Sequence, residues 1–236
     1  MDQAYSQYTE ADHQMWQMLF ERQMEILPAI ASKDYLSGIQ KVGFVSGHIP
    51  DFVQETNPLL HACTGWEVYV VPGLISHKEF YTHLYHKQFP ASNWLRKPEQ
   101  MDYLEEPDMF HDTFGHVPLL SNQAFCDFMS QLSNIALQFI DDEAVLQRIS
   151  RLYWYTVEFG LIYEENELKI YGGGIISSAG ESHYCLLDTV PKIAFDLERV
   201  LNSTYHIDRY QDYYFVIQSY QQLYESLVNL EKYLKV

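Results

Sequence analysis

Apolar residues in this chain recur mostly at helical spacing. After Thr9, which pairs with Asp12 in the manner of a capping box, Trp16, Leu19, Phe20, Gln23 and Leu27 share one broad, mostly apolar face. The helix they predict stops near Pro28. A short helix is expected over residues 34–41, followed by Gly-punctuated loop over 42–50. Residues 66–71 alternate as a strand does, ended by Pro72 and Gly73. Ser76 fits the cap of a helix reaching about Lys87. Residues 89–101 read as loop with a short helical piece. Pro107 and Asp108 look like a helix entry, and Pro118 limits that helix. Residues 121–139 are strongly amphipathic, with Phe125, Phe128, Met129, Leu132, Ile135, Ala136 and Phe139 at the apolar positions. Asp141 or Asp142 caps a further helix, predicted to about Glu164. A strand is expected over 168–171, helices over 181–188 and 192–201, and a strand over 213–217. In the tail, Tyr220, Leu223, Leu227, Leu230 and Leu234 follow a 3-4-3-4 spacing. Two heptads are too few for a coiled coil, so packing on the parent domain is expected. The predicted fold is mainly α with a few short β-strands.

The totals narrow the functional classes. With 236 residues, 47% of them hydrophobic, one large core is available. Its 19 Tyr and 13 Phe make it a core of rings, and buried Tyr hydroxyls need partners. The net charge of -17 repels phosphate backbones and anionic lipid, which excludes nucleic acid and membrane surfaces as main partners. No apolar run approaches the roughly 20 residues of a membrane span, and the polar N-terminus is no signal peptide. Cys63, Cys126 and Cys185 are scattered and odd in number, which fits a reducing cytoplasm better than a disulfide framework.

The candidate chemistry sits between Glu105 and Leu120, where His111 and His116 stand five residues apart. On a regular α-helix that separation is about 140° of rotation, so a shared metal would lie off the helix flank. The zinc-protease pattern needs a spacing of four with Glu as base, and fails here. Glu158 lies in the most apolar part of its own segment, where an unpaired carboxylate costs several kcal/mol. It would complete a two-histidine, one-carboxylate metal site of the kind that holds non-haem Fe(II), or pair with Arg148 or Arg151; spacing alone leaves both open.

Five segments then carry a resemblance: W-x-x-L-F-E-R-Q at 16–23, V-P-G-L-I at 71–75, R-K-P-E-Q-M-D-Y-L-E-E-P-D-M-F-H-D-T-F-G-H-V-P-L-L at 96–120, Y-W-Y-T-V-E-F-G-L at 153–161 and Y-G-G-G-I-I-S-S-A-G-E at 171–181. Together they resemble the pterin-dependent aromatic amino acid hydroxylase family, nearest to its bacterial phenylalanine branch. The resemblance spans nearly the whole chain and implies that family's catalytic-domain fold. It implies Fe(II) on His111, His116 and Glu158, with tetrahydrobiopterin and O2 as cosubstrates. Phe80 matches the residue that stacks on the pterin, although spacing alone reads it as a core aromatic. Gly73, Leu74 and Ile75 match the loop at the pterin edge, and Asp112 and Tyr153 match residues beside pterin and iron. Arg96 matches the grip on the amino acid carboxylate, and Trp154 the wall of the ring slot. Pro107, Phe159, Gly174 and Ser177 complete that pocket, while Leu104 stands where animal members carry a hydroxyl.

The implied reaction is hydroxylation of L-phenylalanine to L-tyrosine through a ferryl-oxo iron, in phenylalanine catabolism. The resemblance also implies a single catalytic domain over 1–236, with a core at 9–218 and a helical tail at 219–236. No regulatory domain and no tetramerising arm are expected, hence a monomer. Within the family, tryptophan is the rival substrate and tyrosine fits least. Outside it, a non-catalytic metal protein or a zinc hydrolase has no use for Arg96, Phe80 and Trp154. A dinucleotide loop at 172–178 lacks its third glycine.

Overall fold

The computed structural model describes residues 2–101 and 106–234, so Leu104 and Glu105 lie outside the described residues. Twelve α-helices, several single wider or tighter turns and six short strands follow one another among them. The helices are α1 (Glu10–Met24), α2 (Leu27–Ile30), α3 (Lys33–Lys41), α4 (Asn57–Cys63), α5 (His77–Tyr85), α6 (Gln123–Gln138), α7 (Glu143–Tyr153), α8 (Gly173–Ile176), α9 (Ala179–Tyr184), α10 (Leu197–Leu201), α11 (Tyr220–Ser226) and α12 (Leu230–Leu234). The strands are β1 (Glu67–Val70), β2 (Gln88–Ala91), β3 (Leu161–Glu164), β4 (Glu167–Ile170), β5 (Lys192–Ala194) and β6 (Tyr214–Ile217).

Local signals set the helix starts. Thr9 with Asp12 and Ser76 with Glu79 form complete capping boxes at α1 and α5. Asn122 and Asp142 cap α6 and α7 by accepting from the backbone of Phe125 and Val145. Buried Phe125, Phe128, Met129, Leu132, Ile135 and Ala136 make α6 the central beam of the core. The tail stripe closes on this same core: Tyr220, Leu223, Leu227, Leu230 and Leu234 are all buried, and Tyr220 meets Phe125 edge-on at 5.8 Å.

Four expectations change. Pro28 opens α2 instead of ending α1, because the first turn of a helix has no need of proline's missing N–H. Part of the expected loop at 89–101 is β2, which pairs in parallel with β1 across α5; Pro90 is tolerated there because a two-stranded sheet has only edge strands. The helix expected to run to Glu164 stops at Tyr153, widens through Trp154–Glu158, and gives way to β3. The helix expected over 192–201 divides: Lys192–Ala194 pairs in parallel with Tyr214–Val216, and Asp196 caps the short α10 that follows. The resulting four-stranded sheet has the order β4-β3-β6-β5. No helix among the described residues is long and apolar enough to cross a membrane.

The burial of the tail stripe has a measurable consequence. Leu223→Ala should lower unfolding stability by about 2–5 kcal/mol, as truncations in a packed core do, and leave the elution volume in gel filtration unchanged. A changed elution volume would instead make the stripe an interface between chains.

Candidate active site

Two widened turns supply the three candidate ligands. His111–Gly115 and Trp154–Glu158 both close with π-helical geometry. Such a turn is bonded from residue i to i+5, so a residue five positions on returns to nearly the same side. The spacing of His111 and His116 is awkward on an α-helix and natural here. Each turn also contains one buried threonine whose hydroxyl donates to the carbonyl four residues back, Thr113 to Met109 and Thr156 to Leu152, both at 2.6 Å. These bonds tie each widened turn back to the residues that precede it.

The first turn is seated by rings. Phe110 and Phe114 stack at 4.6 Å beneath it, and Trp16 and Phe20 meet them edge-on at 5.4 and 5.3 Å. The second turn lies against the chain near Gly172, where a Cβ would stand 2.3 Å from the Glu158 carbonyl oxygen. Only glycine allows that approach.

The three donors converge. His111 Nε2 and His116 Nε2 are 3.3 Å apart; Glu158 Oε1 lies 3.3 Å from His116 Nε2 and Oε2 lies 3.6 Å from His111 Nε2. Neighbouring donors on an octahedral ion, bound at about 2.1 Å, stand about 3 Å apart, so the set fits a divalent metal. Among the described residues no other group of His, Cys, Asp and Glu gathers in this way. Glu158 therefore pairs with the two histidines, and neither Arg148 nor Arg151 reaches it: Arg148 bonds the Asn202 side chain and Arg151 the Leu201 carbonyl.

Proton positions suit a metal. Ser177 Oγ donates its one hydrogen to the Gly173 carbonyl (2.8 Å), so it accepts from His111 Nδ1 (2.9 Å). The Nε2 lone pair of His111 is then left for the ion. Burial lowers the His111 imidazole to about 4, against the pull of Glu158. Burial also opposes a charge on His116, but Glu158 outweighs it and holds that imidazole above its ordinary value. Glu158 in turn lies below the usual carboxylate range, its burial outweighed by the imidazoles beside it.

These groups sit in one cavity of about 830 Å³. Its lining includes Gly73, Leu74, Ile75, Phe80, Asp112 and Tyr153. Gly73 takes a φ of 151°, a conformation that favours glycine, and Leu74 is left exposed at the mouth. Phe80 meets Tyr153 edge-on at 5.3 Å. Asp112 is held by Ser92, whose N–H and hydroxyl both donate to its Oδ2 at 2.8 and 3.0 Å, and burial pushes its carboxyl up to about 7.

Arg96, Pro107, Trp154, Phe159, Gly174 and Ser177 line it as well. Trp154 lies against Phe159 at 4.8 Å. Arg96 is buried and grips Asp108 through two parallel bonds of 2.8 Å, while Asp108 also accepts from the backbone N–H groups of Arg96 and His111. One carboxylate thus joins the cation to the first ligand. All fifteen candidate site residues reach the cavity.

Sequence reasoning missed three things. Asp108 was read as a helix entry only, and Ser92 as loop. The loop over 206–211, with Glu181 behind it, lines the cavity without any motif to announce it. A buried carboxylate one turn after Ser177 was the available signal.

Two outcomes follow from the proton inventory. Ser177→Ala should weaken metal binding about 10–100-fold in a competition titration, since it frees the imidazole it orients. Metal affinity should also fall as pH drops through the raised titration range of His116, because that imidazole must lose a proton before it can ligate. An affinity flat with pH over that range would show His116 already neutral.

Comparison with known proteins gives a consistent picture. The profile of a family described as biopterin-dependent aromatic amino acid hydroxylases matches residues 3–235. A phenylalanine-4-hydroxylase of Ralstonia nicotianae is 45% identical over 227 residues, covering 96% of this chain and 72% of that protein. A Chromobacterium violaceum phenylalanine hydroxylase structure with iron(III) and 7,8-dihydrobiopterin superposes with a TM-score of 0.94 at 42% identity, covering 99% of this chain and 85% of that one. Another structure of that enzyme, with iron and phenylalanine, superposes at 0.90 and 41% identity, covering 96% and 82%.

Proposed function

We propose a residue-by-residue working of the site for this chain, which belongs to the biopterin-dependent aromatic amino acid hydroxylase family. The chain hydroxylates L-phenylalanine to L-tyrosine with O2 and a tetrahydropterin at a non-haem iron. The observation that carries the reading is the close set of His111, His116 and Glu158 lining the cavity.

His111, His116 and Glu158 would hold the iron. Iron and tetrahydropterin together, when bound, supply the activation of O2 that ring hydroxylation needs. The remaining work belongs to the protein. Phe80 offers a ring face to the flat pterin, the backbone of Gly73, Leu74 and Ile75 offers polar groups at its edge, and Asp112 and Tyr153 border it. Arg96, already half occupied by Asp108, has donors left for the amino acid carboxylate. Trp154 and Phe159 hold the aromatic ring, with Pro107, Gly174 and Ser177 closing the slot. Holding two cosubstrates and the amino acid in one cavity lowers the entropic part of the barrier, and its apolar walls exclude water.

Three further features support a finer reading as one cytoplasmic catalytic domain that works as a monomer. The tail stripe is spent on the chain's own core, the surface is strongly acidic, and the three cysteines are free.

Anaerobic mixing of Fe(II)-loaded protein, tetrahydropterin and phenylalanine, followed by air, should give tyrosine measured by chromatography. Full turnover without pterin would overturn the mechanism, as would undiminished activity in His111→Ala or Glu158→Ala. Arg96→Ala should raise the phenylalanine KM at least about 30-fold, the loss of a buried charge-assisted contact, with iron content unchanged. Loss of iron would make Arg96 structural instead.

A further inference from the structure

The assignments above leave idle one part of the cavity lining, residues 206–211 of the loop over 204–211. Its two ends are anchored differently. At the start, the Thr204 carbonyl accepts from the Tyr155 hydroxyl and, at 3.2 Å, from the Tyr213 hydroxyl. Tyr155 belongs to the same widened turn as Glu158. Next to it, Tyr205 stacks on Trp154 with ring centroids 4.5 Å apart and planes 22° from parallel. At the far end, buried Gln211 bonds the His206 carbonyl (2.7 Å) and accepts from the His206 N–H (3.1 Å), closing the loop on itself.

At that far end the loop is held by the Tyr210 ring, which packs on Tyr184 of α9 at 4.9 Å, and by hydrogen bonds to one buried carboxylate. Glu181 Oε1 accepts from the Tyr214 hydroxyl at 2.5 Å and from the Gln211 N–H at 3.4 Å. Tyr214 lies on β6 and Glu181 on α9, so the oxygen binds sheet, helix and loop together. Among the described residues Glu181 has no cationic partner, and Oε2 accepts no hydrogen bond. A buried carboxylate without a cation is costly, and burial raises its carboxyl to about 7. Its retention therefore calls for a use, and the bonds it makes name one. The approach is close: a Cβ on neighbouring Gly180 would stand 1.9 Å from the Tyr210 hydroxyl.

We infer that Glu181 is a positioning residue of the amino acid pocket, holding the 204–211 loop so that Tyr205 keeps Trp154 in place and the ring slot keeps its width. The inference rests on the amino acid reading of the cavity given above. It assigns no role in binding iron or pterin, since none of their candidate residues lies in the 204–211 loop or on α9.

The test compares Glu181→Leu, Glu181→Gln and Tyr214→Phe with the wild type. Phenylalanine affinity is read by calorimetry on the iron-loaded protein and as KM. Iron content and tetrahydropterin Kd are read separately, as is the preference for phenylalanine over tryptophan. Glu181→Leu should weaken phenylalanine about tenfold or more and lower that preference, with kcat changed less than about threefold and with iron and pterin binding unchanged. Glu181→Gln keeps a carbonyl acceptor and should stay within about threefold of the wild type, with Tyr214→Phe between the two. Wild-type phenylalanine affinity in Glu181→Leu would overturn the inference. So would equal weakening in Glu181→Gln and Glu181→Leu, or loss of iron together with phenylalanine. If Glu181→Leu does not fold, an unchanged phenylalanine Kd in Tyr214→Phe overturns it and a raised one supports it. A wild type that binds no phenylalanine sinks the reading of the cavity, and this inference with it.

Discussion

Three donor atoms from two separate segments have to meet within hydrogen-bond distance inside a packed core. Two imidazoles and a carboxylate do not gather there unaided, since each must be desolvated first. The widened turns make the meeting possible. They rotate His111 and His116 to one side and present Glu158 from the facing segment. Both turns need an apolar floor, and the stack of Phe110, Phe114, Trp16 and Phe20 provides one of them. In both, a buried threonine, Thr113 or Thr156, bonds back to the carbonyl four residues earlier. The placement of α1, of the phenylalanine pair and of the 172–176 segment can be understood as support for these two turns.

Asp108 is the joint between that centre and the rest of the cavity. Its carboxylate accepts from the Arg96 guanidinium twice and from two backbone N–H groups. A buried pair of this kind is weak evidence for stability, because desolvation offsets the attraction. It is better evidence for geometry. It fixes the guanidinium at a set displacement from the His111 backbone, as an Arg96 that holds the amino acid carboxylate would require.

Much of this was readable in the sequence where the signal is local. The capping boxes at Thr9 and Ser76, the caps at Asn122 and Asp142, and the face of α6 depend on residues a few positions apart. The residues alone showed that Glu158 demands a partner but left the two histidines and Arg148 or Arg151 both open; only the family resemblance singled out the histidines. What escaped was set by distant pairing. Residues 192–194 became a strand only because Tyr214–Val216 lies beside them, and β2 only because of β1. Pro28 misled because proline both ends and starts helices. The widened turns left one trace, the spacing of five between His111 and His116, which argued against a zinc protease before it argued for anything. Asp108, Ser92 and Glu181 act through tertiary contacts that no short motif records.

The second widened turn has a consequence for how such a chain diverges. Trp154, which borders the ring slot, and Glu158, which faces the metal, are the two ends of one five-residue turn. A lineage exploring new aromatic substrates through that turn risks its metal with each step. The loop over 204–211 borders the same slot and contributes no ligand. If Trp154 and the loop shape the ring slot as proposed, substrate preference can change through the loop without touching a candidate ligand, a division of labour between a constrained element and an evolvable one.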